Sequence, residues 1–359
     1  MITPLRAMPP EVWGNTLKQV PPLSALRAVR YHSIPRQALG KAARSRMLGP
    51  MGTHCTRRSL LDCQEEETMG IVNQDNITAV VTESLGKHGD ITGREREIAA
   101  SMIKHLHGFI KDVKLQHHEF LAACDYLARA GKLCDDNRQE FILLGDILGL
   151  EVLVDMMTNP VEGKESESTV LGPFYRENPP VLPKGASIIQ KHFENEETVF
   201  FEGHIKDENG NGIAGVTLDV WEDAPNGIYE NLDPDQPEYN LRGRFETDEN
   251  GHYAFIAVRP VPYPIPDDET AGELLRFMGH HPNRPGHMHF MISKDGYRPL
   301  ISQIYDADSA WLDDDSVFAV KESLIGKFNP ASQDLGTDLH FEFDFVLKEG
   351  AVSQAVAAE

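Results

Sequence analysis

The sequence predicts an α+β fold, an antiparallel β-sandwich preceded by an N-terminal helical layer. Up to about residue 157, apolar residues recur at three- and four-residue spacing, the period of an amphipathic helix. Beyond Pro160 the pattern becomes short alternating runs separated by Gly, Asn and Asp, as in strands joined by tight turns. With 359 residues, 40% hydrophobic and 25% charged, the chain suffices for one large or two ordinary packed domains.

Along the chain, residues 1–68 stand apart. The first sixty carry ten Lys or Arg and a single acid, Glu11, with frequent Pro and no sustained period. That is the profile of a transit peptide, a disordered arm or an over-extended start, and Met69 opens a segment of different character. Residues 69–165 read as the helical region. Ile98, Met102, Ile103, Leu106, Phe109, Ile110 and Val113 share one face of a helix that begins near Thr92. Phe120, Leu121, Cys124, Leu127 and Ala128 share a face of a second helix, and a third run spans 136–157. Residues 166–350 read as the sandwich. Segments 199–205 and 216–221 flank a Gly/Asn turn at 207–212 and read as a hairpin, as do 243–246 and 253–258 around 248–251. Strands are also expected at 288–292, 300–304 and the alternating 339–347, with 351–359 as a tail.

The net charge of -22 hides an asymmetry, because beyond the basic start 24 Lys or Arg face 55 acids. So acidic a body repels phosphate backbones and anionic headgroups, which argues against nucleic acid as a partner. No stretch approaches the roughly 20 apolar residues of a spanning helix. Cys55, Cys63, Cys124 and Cys134 form no CxxC pair and are too sparse for a secreted disulfide framework. They read as reduced thiols, so the cytoplasm is the expected compartment, or the mitochondrion if the Arg-rich start is translated.

The chemistry begins at His287-Met288-His289. Alternate residues of a strand share a face, so both imidazoles can chelate one ion. Imidazole serves zinc, copper, nickel and iron, so the pair does not name the metal, and HxH also occurs on plain polar strand faces. Two tyrosines accompany it. Tyr263 lies in the proline-locked Pro262-Tyr263-Pro264-Ile265-Pro266, and Tyr229 follows Gly227-Ile228.

Together with Trp221, Asp248-Glu249-Asn250-Gly251-His252-Tyr253, Asn283-Arg284-Pro285-Gly286-His287-Met288-His289-Phe290 and Gln303-Ile304, these motifs resemble the intradiol ring-cleavage dioxygenases over about 90–350. The resemblance implies a catalytic sandwich in which Tyr229, Tyr263, His287 and His289 ligate one iron(III) per subunit. It places Arg284 and Gln303 beside the substrate and makes Tyr263 the ligand that departs to take a substrate proton. A small aromatic diol or triol and O2 are the implied substrates, and a homodimer through the helical layer, with a lipid-lined groove, the implied assembly. Gly286 stands where the family more often has alanine, a difference expected to be harmless. Charge supports the ligand set: two tyrosinates and a hydroxide offset iron(III), neutral imidazoles complete it, and such a cation ionises phenols whose ordinary pKa is about 10.

Residues 141–149 and 168–174, with Tyr263-Pro264-Ile265-Pro266, are similar to the hydroxyquinol 1,2-dioxygenase branch of that family. They imply a pocket of Leu143, Asp146, Val170, Leu171, Gly172, Pro264, Ile265 and Val317, and hydroxyquinol cleaved to 3-hydroxymuconate, the tautomer of maleylacetate. Asp146 distinguishes the branch. A carboxylate on an apolar helix face would accept a charge-assisted bond from a third ring hydroxyl, worth about 1.5 to 3 kcal/mol. Catechol or chlorocatechol is the alternative substrate. A non-catalytic sandwich binding module, which would hold no iron, competes from another class, and a cupin-like centre would need a glutamate where Lys294-Asp295-Gly296 stands. Glu222, Asp223, Asp313, Asp314 and Asp315, with His280 and His281, read as solvated loop groups.

Overall fold

The computed structural model describes residues 72–350 apart from 136–137. The expectations for 1–68, Met69, Cys55, Cys63 and the tail 351–359 lie outside the described residues. These fall into two compact units, 72–123 and 124–350.

In the first unit, α1 (Ile77–Glu83) and α2 (Gly93–Val113) are joined by Thr78 Oγ1 at 3.0 Å from His107 Nδ1. Thr92 explains where α2 begins. Its hydroxyl accepts from Glu95 N–H while the Glu95 carboxylate accepts from Thr92 N–H, so two otherwise unpaired donors are satisfied. The predicted stripe is present, but Met102, Leu106, Phe109 and Val113 are exposed.

The unit boundary falls within α3 (His117–Leu133). The single run expected over 136–157 is two helices, α4 (Glu140–Ile147) and α5 (Leu150–Thr158). Gly149 separates them at φ +65°, a left-handed conformation that costs glycine little and breaks the helical register. Buried Glu140 ties α4 to α6 (Glu269–Met278) by accepting from Ala271 N–H at 3.0 Å and from the Thr270 hydroxyl at the α6 N-terminus.

Two five-stranded sheets form the sandwich. In the first, β1 (Thr198–Asp207) pairs antiparallel with β4 (His252–Val258) and parallel with β11 (Leu339–Glu342) and β12 (Phe345–Leu347), and β10 (Asn329–Pro330) joins β11. The second runs in the order β3 (Arg242–Glu246), β2 (Thr217–Trp221), β7 (His287–Ser293), β8 (Leu300–Asp306), β9 (Ile325–Gly326). A separate two-stranded ladder joins β5 (Tyr263–Pro264) to β6 (Asn283–Arg284). The α+β class holds, with one correction: the sheets are mixed, because β11 and β12 run parallel to β1 and β9 parallel to β8. Alternation assigns side chains to faces but leaves strand direction undetermined.

Neither expected hairpin forms. The turn at 207–212 leads from β1 in the first sheet to β2 in the second, and the turn at 248–251 leads back from β3 to β4. β1 and β4 then pair with each other, from Thr198 opposite Val258 to His204 opposite His252. Between the sheets lie Val199, Phe201, Leu218, Val220, Phe255, Met288, Phe290, Ile292, Phe341 and Phe345. Among the described residues no helix is long and apolar enough to cross a membrane.

Candidate active site

Since Met288, Phe290 and Ile292 fill the inter-sheet core, His287 and His289 face outward from the second sheet. The ladder sets Gln303 and Trp221 opposite His289, and Tyr305 opposite His287. The Trp221 indole stacks on His289 at 4.7 Å between centroids. His287 Nδ1 lies 2.8 Å from Pro285 O, so Nδ1 carries the proton and Nε2 the lone pair. The two Nε2 atoms are 3.1 Å apart, near the separation of about 3 Å for two nitrogen ligands at right angles on one ion.

Both tyrosines reach the same face. The β5–β6 ladder sets Tyr263 beside Arg284. Tyr229 follows a tight turn in which Gly227, at φ +76°, donates its N–H to Ala224 O at 2.7 Å. Its ring stacks on Phe174 at 4.5 Å and stands edge-on to Tyr263 at 5.5 Å.

Burial, reinforced by Arg284, lowers the His287 pKa to about 3, and burial beside His287 holds His289 well below its ordinary value. Both imidazoles are therefore neutral, as metal ligands must be. Burial raises both phenols, Tyr229 further through Tyr263 and Asp223, with Arg284 partly offsetting the rise at Tyr263. Tyr229 Oη is enclosed without a hydrogen-bond partner. Among the described residues no cluster of three or more His, Cys, Asp or Glu could hold a metal. Two converging imidazoles, an unpaired buried phenol and a second phenol beside it fit a hard trivalent cation.

Arg284 completes one side. Its Nε is 3.0 Å from Asp315 Oδ1, its Nη2 is 2.9 Å from Gln303 Oε1, and its Nη1 is 3.1 Å from His287 Nε2. Gln303 Nε2 donates to Val170 O at 2.7 Å, which anchors the segment above the site, and Tyr305 Oη donates to Gln303 Oε1 at 2.7 Å. Leu143, Val170, Ile265 and Val317 are buried in one cluster with Tyr229, Tyr263 and Trp221, and Leu171 packs against it. Gly172, at φ +77°, is so close that a Cβ there would lie 3.3 Å from His289 Cε1. Asp146 is buried on α4, whereas Pro264 is exposed and outside the cluster.

Residues 93–166 match the family described as catechol dioxygenase N terminus, and 170–349 the family described as dioxygenase. A hydroxyquinol 1,2-dioxygenase of Rhizobium sp. is 41% identical over 236 residues, 66% of this chain and 79% of that one. The chain belongs to the intradiol ring-cleavage dioxygenases. A catechol 1,2-dioxygenase of Candida albicans is 40% identical over 78% of this chain and 95% of its own length. The solved hydroxyquinol 1,2-dioxygenase of Pseudomonas putida DLL-E4 superposes with a TM-score of 0.70 at 35% identity, covering 76% of this chain and 99% of that one.

In this dioxygenase several acids expected in solvent are buried. Asp315 binds Arg284, and Glu222 and Asp223 are fully enclosed, while Asp313 and Asp314 are exposed as expected. The two-residue strand period would have found Tyr305 from Gln303 and placed Asp223 on the face of Trp221. Gly286 is closely enclosed, since a Cβ built on it lies 2.4 Å from Pro260 O. Gly286→Ala must displace the backbone just before Tyr263, and is expected to lower stability by about 1 to 3 kcal/mol. Urea unfolding checks this; an unchanged midpoint would show that the Pro260 segment yields freely.

Proposed function

We propose that this dioxygenase cleaves hydroxyquinol with O2 between its adjacent hydroxyl-bearing carbons, giving 3-hydroxymuconate, with iron(III) held by Tyr229, Tyr263, His287 and His289. Asp146 carries the choice of substrate: it is buried, it belongs to the helix that supplies Leu143 to the pocket cluster, and its Oδ1 has no partner. A third ring hydroxyl would satisfy that oxygen, whereas catechol would leave it unpaired.

The chemistry of the contact differs from a carboxylate's. Burial, then neighbouring Glu151, push the Asp146 carboxyl up to about 9, so at pH 7 it is neutral. Its bond to a hydroxyl is then worth about 0.5 to 1.5 kcal/mol rather than the charge-assisted value.

Iron(III), when bound, would supply the positive charge that stabilises the ionised diol, and the diolate oxygens would make the ring electron-rich toward O2. Tyr263, ionised as a ligand of that cation, would accept a diol proton. Arg284, held flat by Asp315 and Gln303, stabilises negative charge developing on the ring. The apolar wall of Leu143, Val170, Ile265 and Val317 excludes water from that charge. The exposed apolar stripe of α2 supports a second copy of the chain as partner, with a lipid-lined groove at that contact, and the cytoplasm is the proposed compartment.

Oxygen uptake by iron-loaded protein, corrected for autoxidation, tests the reading. Higher kcat/KM for hydroxyquinol than for catechol is expected; the reverse order would replace hydroxyquinol with catechol. Asp146→Ala should lower kcat/KM for hydroxyquinol by up to about tenfold more than for catechol. The raised pKa also has a stability signature. Relative to Asp146→Asn, the wild-type protein should lose stability as pH rises from about 4, where the unfolded carboxyl ionises, to about 9.

A further inference from the structure

Asp223 is fully buried, neither carboxyl oxygen has a hydrogen-bond partner, and nothing in the proposed reaction uses it. Such a group opposes folding unless something outside the protein satisfies it. Its direction follows from the strand that leads to it. Leu218 and Val220 point into the inter-sheet core, and Glu222 continues that face by accepting from Val258 N–H at 3.1 Å. Glu222 N–H still bonds Leu241 O at 3.3 Å, so the extended alternation persists past Trp221. Asp223 therefore shares the opposite face with Trp221, whose indole covers His289. Electrostatics agree, since Asp223 acts on both Tyr229 and Tyr263 and is itself acted on by Arg284.

We propose that Asp223 is a further ligand-binding residue of the site, its carboxyl hydrogen-bonding an O–H group, of water or of the diol, held beside Tyr229, Tyr263 and Arg284. This deepens the proposed function and rests on it. A carboxyl here would add a polar anchor beside the two tyrosines, whereas Asp146 is influenced by Glu151, Arg284 and Asp315. The stability cost of the unpaired acid is the expected mark of a residue kept for binding.

The test uses the iron-loaded full chain with Asp223→Asn and Asp223→Ala. Dissociation constants for catechol and hydroxyquinol are read anaerobically from visible absorption, beside the resting spectrum, fluoride affinity and melting temperature. If the carboxyl binds the diol, affinity for both diols should weaken about tenfold in Asp223→Ala, with less loss in Asp223→Asn, at an equal or higher melting temperature. If it binds water, the resting spectrum and fluoride affinity should shift instead. Either outcome supports the proposal. Unchanged resting spectrum and unchanged diol and fluoride affinities would overturn it whatever the melting temperature, and a lower melting temperature would then mark Asp223 as a packing residue. Should neither variant fold, the infrared difference spectrum of wild-type protein with carbon-13-labelled aspartate decides: besides the Asp146 band, a second carboxyl band must shift when the diol binds, and its absence overturns the proposal. Wild-type protein that takes up no oxygen with any diol would overturn the reading of the function as well, so the two failures are distinguishable.

Discussion

Tyr229→Phe is expected to abolish the visible absorption of iron-loaded protein while leaving metal-free protein as stable or more stable. The two effects share one cause. Tyr229 Oη is buried without a hydrogen-bond partner, so in metal-free protein it costs about 1 kcal/mol or more, and its removal deletes only an unsatisfied group. The ring keeps its stack on Phe174, so packing is conserved. On the proposed ligand set, bound iron would reverse the balance, because the phenol oxygen would then supply an anionic ligand that no neighbour replaces. Oxygen uptake should fall more than about a hundredfold, beyond the tenfold to hundredfold typical of losing a partner behind a ligand. His289→Ala gives the contrast. It too should lose the metal, but it strips the stack from Trp221 and opens a cavity, so metal-free protein should be less stable. Iron content, the visible spectrum and urea unfolding with and without metal check both variants. Intact colour in both would remove these residues from the ligand set.

His287 and His289 were legible as a pair because a strand repeats every two residues, and the ladder with Gln303 and Tyr305 bears that spacing out. Their opposition to Trp221 was not legible, since it depends on β2 lying beside β7 across some seventy residues of chain. The misread hairpins fail for the same reason. Turn chemistry at 207–212 and 248–251 is local and correct, but which strand pairs with which is decided by burial in the sandwich. Acid burial was the other blind spot. Asp313, Asp314 and Asp315 are chemically identical in the sequence, and only the fold turns the third inward to Arg284 while the first two stay exposed. Nor could glycine alone have located the helix break, because the run holds two: Gly145 lies inside α4, and only Gly149 takes the left-handed conformation that ends the helix.

Asp315→Ala should be among the most destabilising single changes at the site, by about 3 to 5 kcal/mol, because it leaves the buried Arg284 guanidinium without its counter-charge. Asp315 also accepts from Val317 N–H at 3.3 Å and Ala319 N–H at 3.0 Å, so its loss unties the loop that carries a pocket wall. Burial alone would raise this carboxyl, yet Arg284 and the loop N–H groups hold it below the ordinary range. For an acid with a depressed folded pKa, the stabilisation is present above the unfolded value of about 3.9 and disappears as pH falls through the folded one. Wild-type protein should therefore lose stability below about pH 4, and Asp315→Asn should lack that part of the acid dependence. Asp315→Asn keeps the shape and an acceptor oxygen, so it should fold, but Arg284 would be held by Gln303 and Tyr305 without a charged partner. If Asp315 positions the guanidinium for the reacting ring, kcat should fall more than KM rises, and Asp315→Glu should not restore it, because an added methylene displaces a bidentate contact. Equal kinetics in wild type and Asp315→Asn would confine Asp315 to the fold, and Gln303 and Tyr305 would then suffice to orient Arg284.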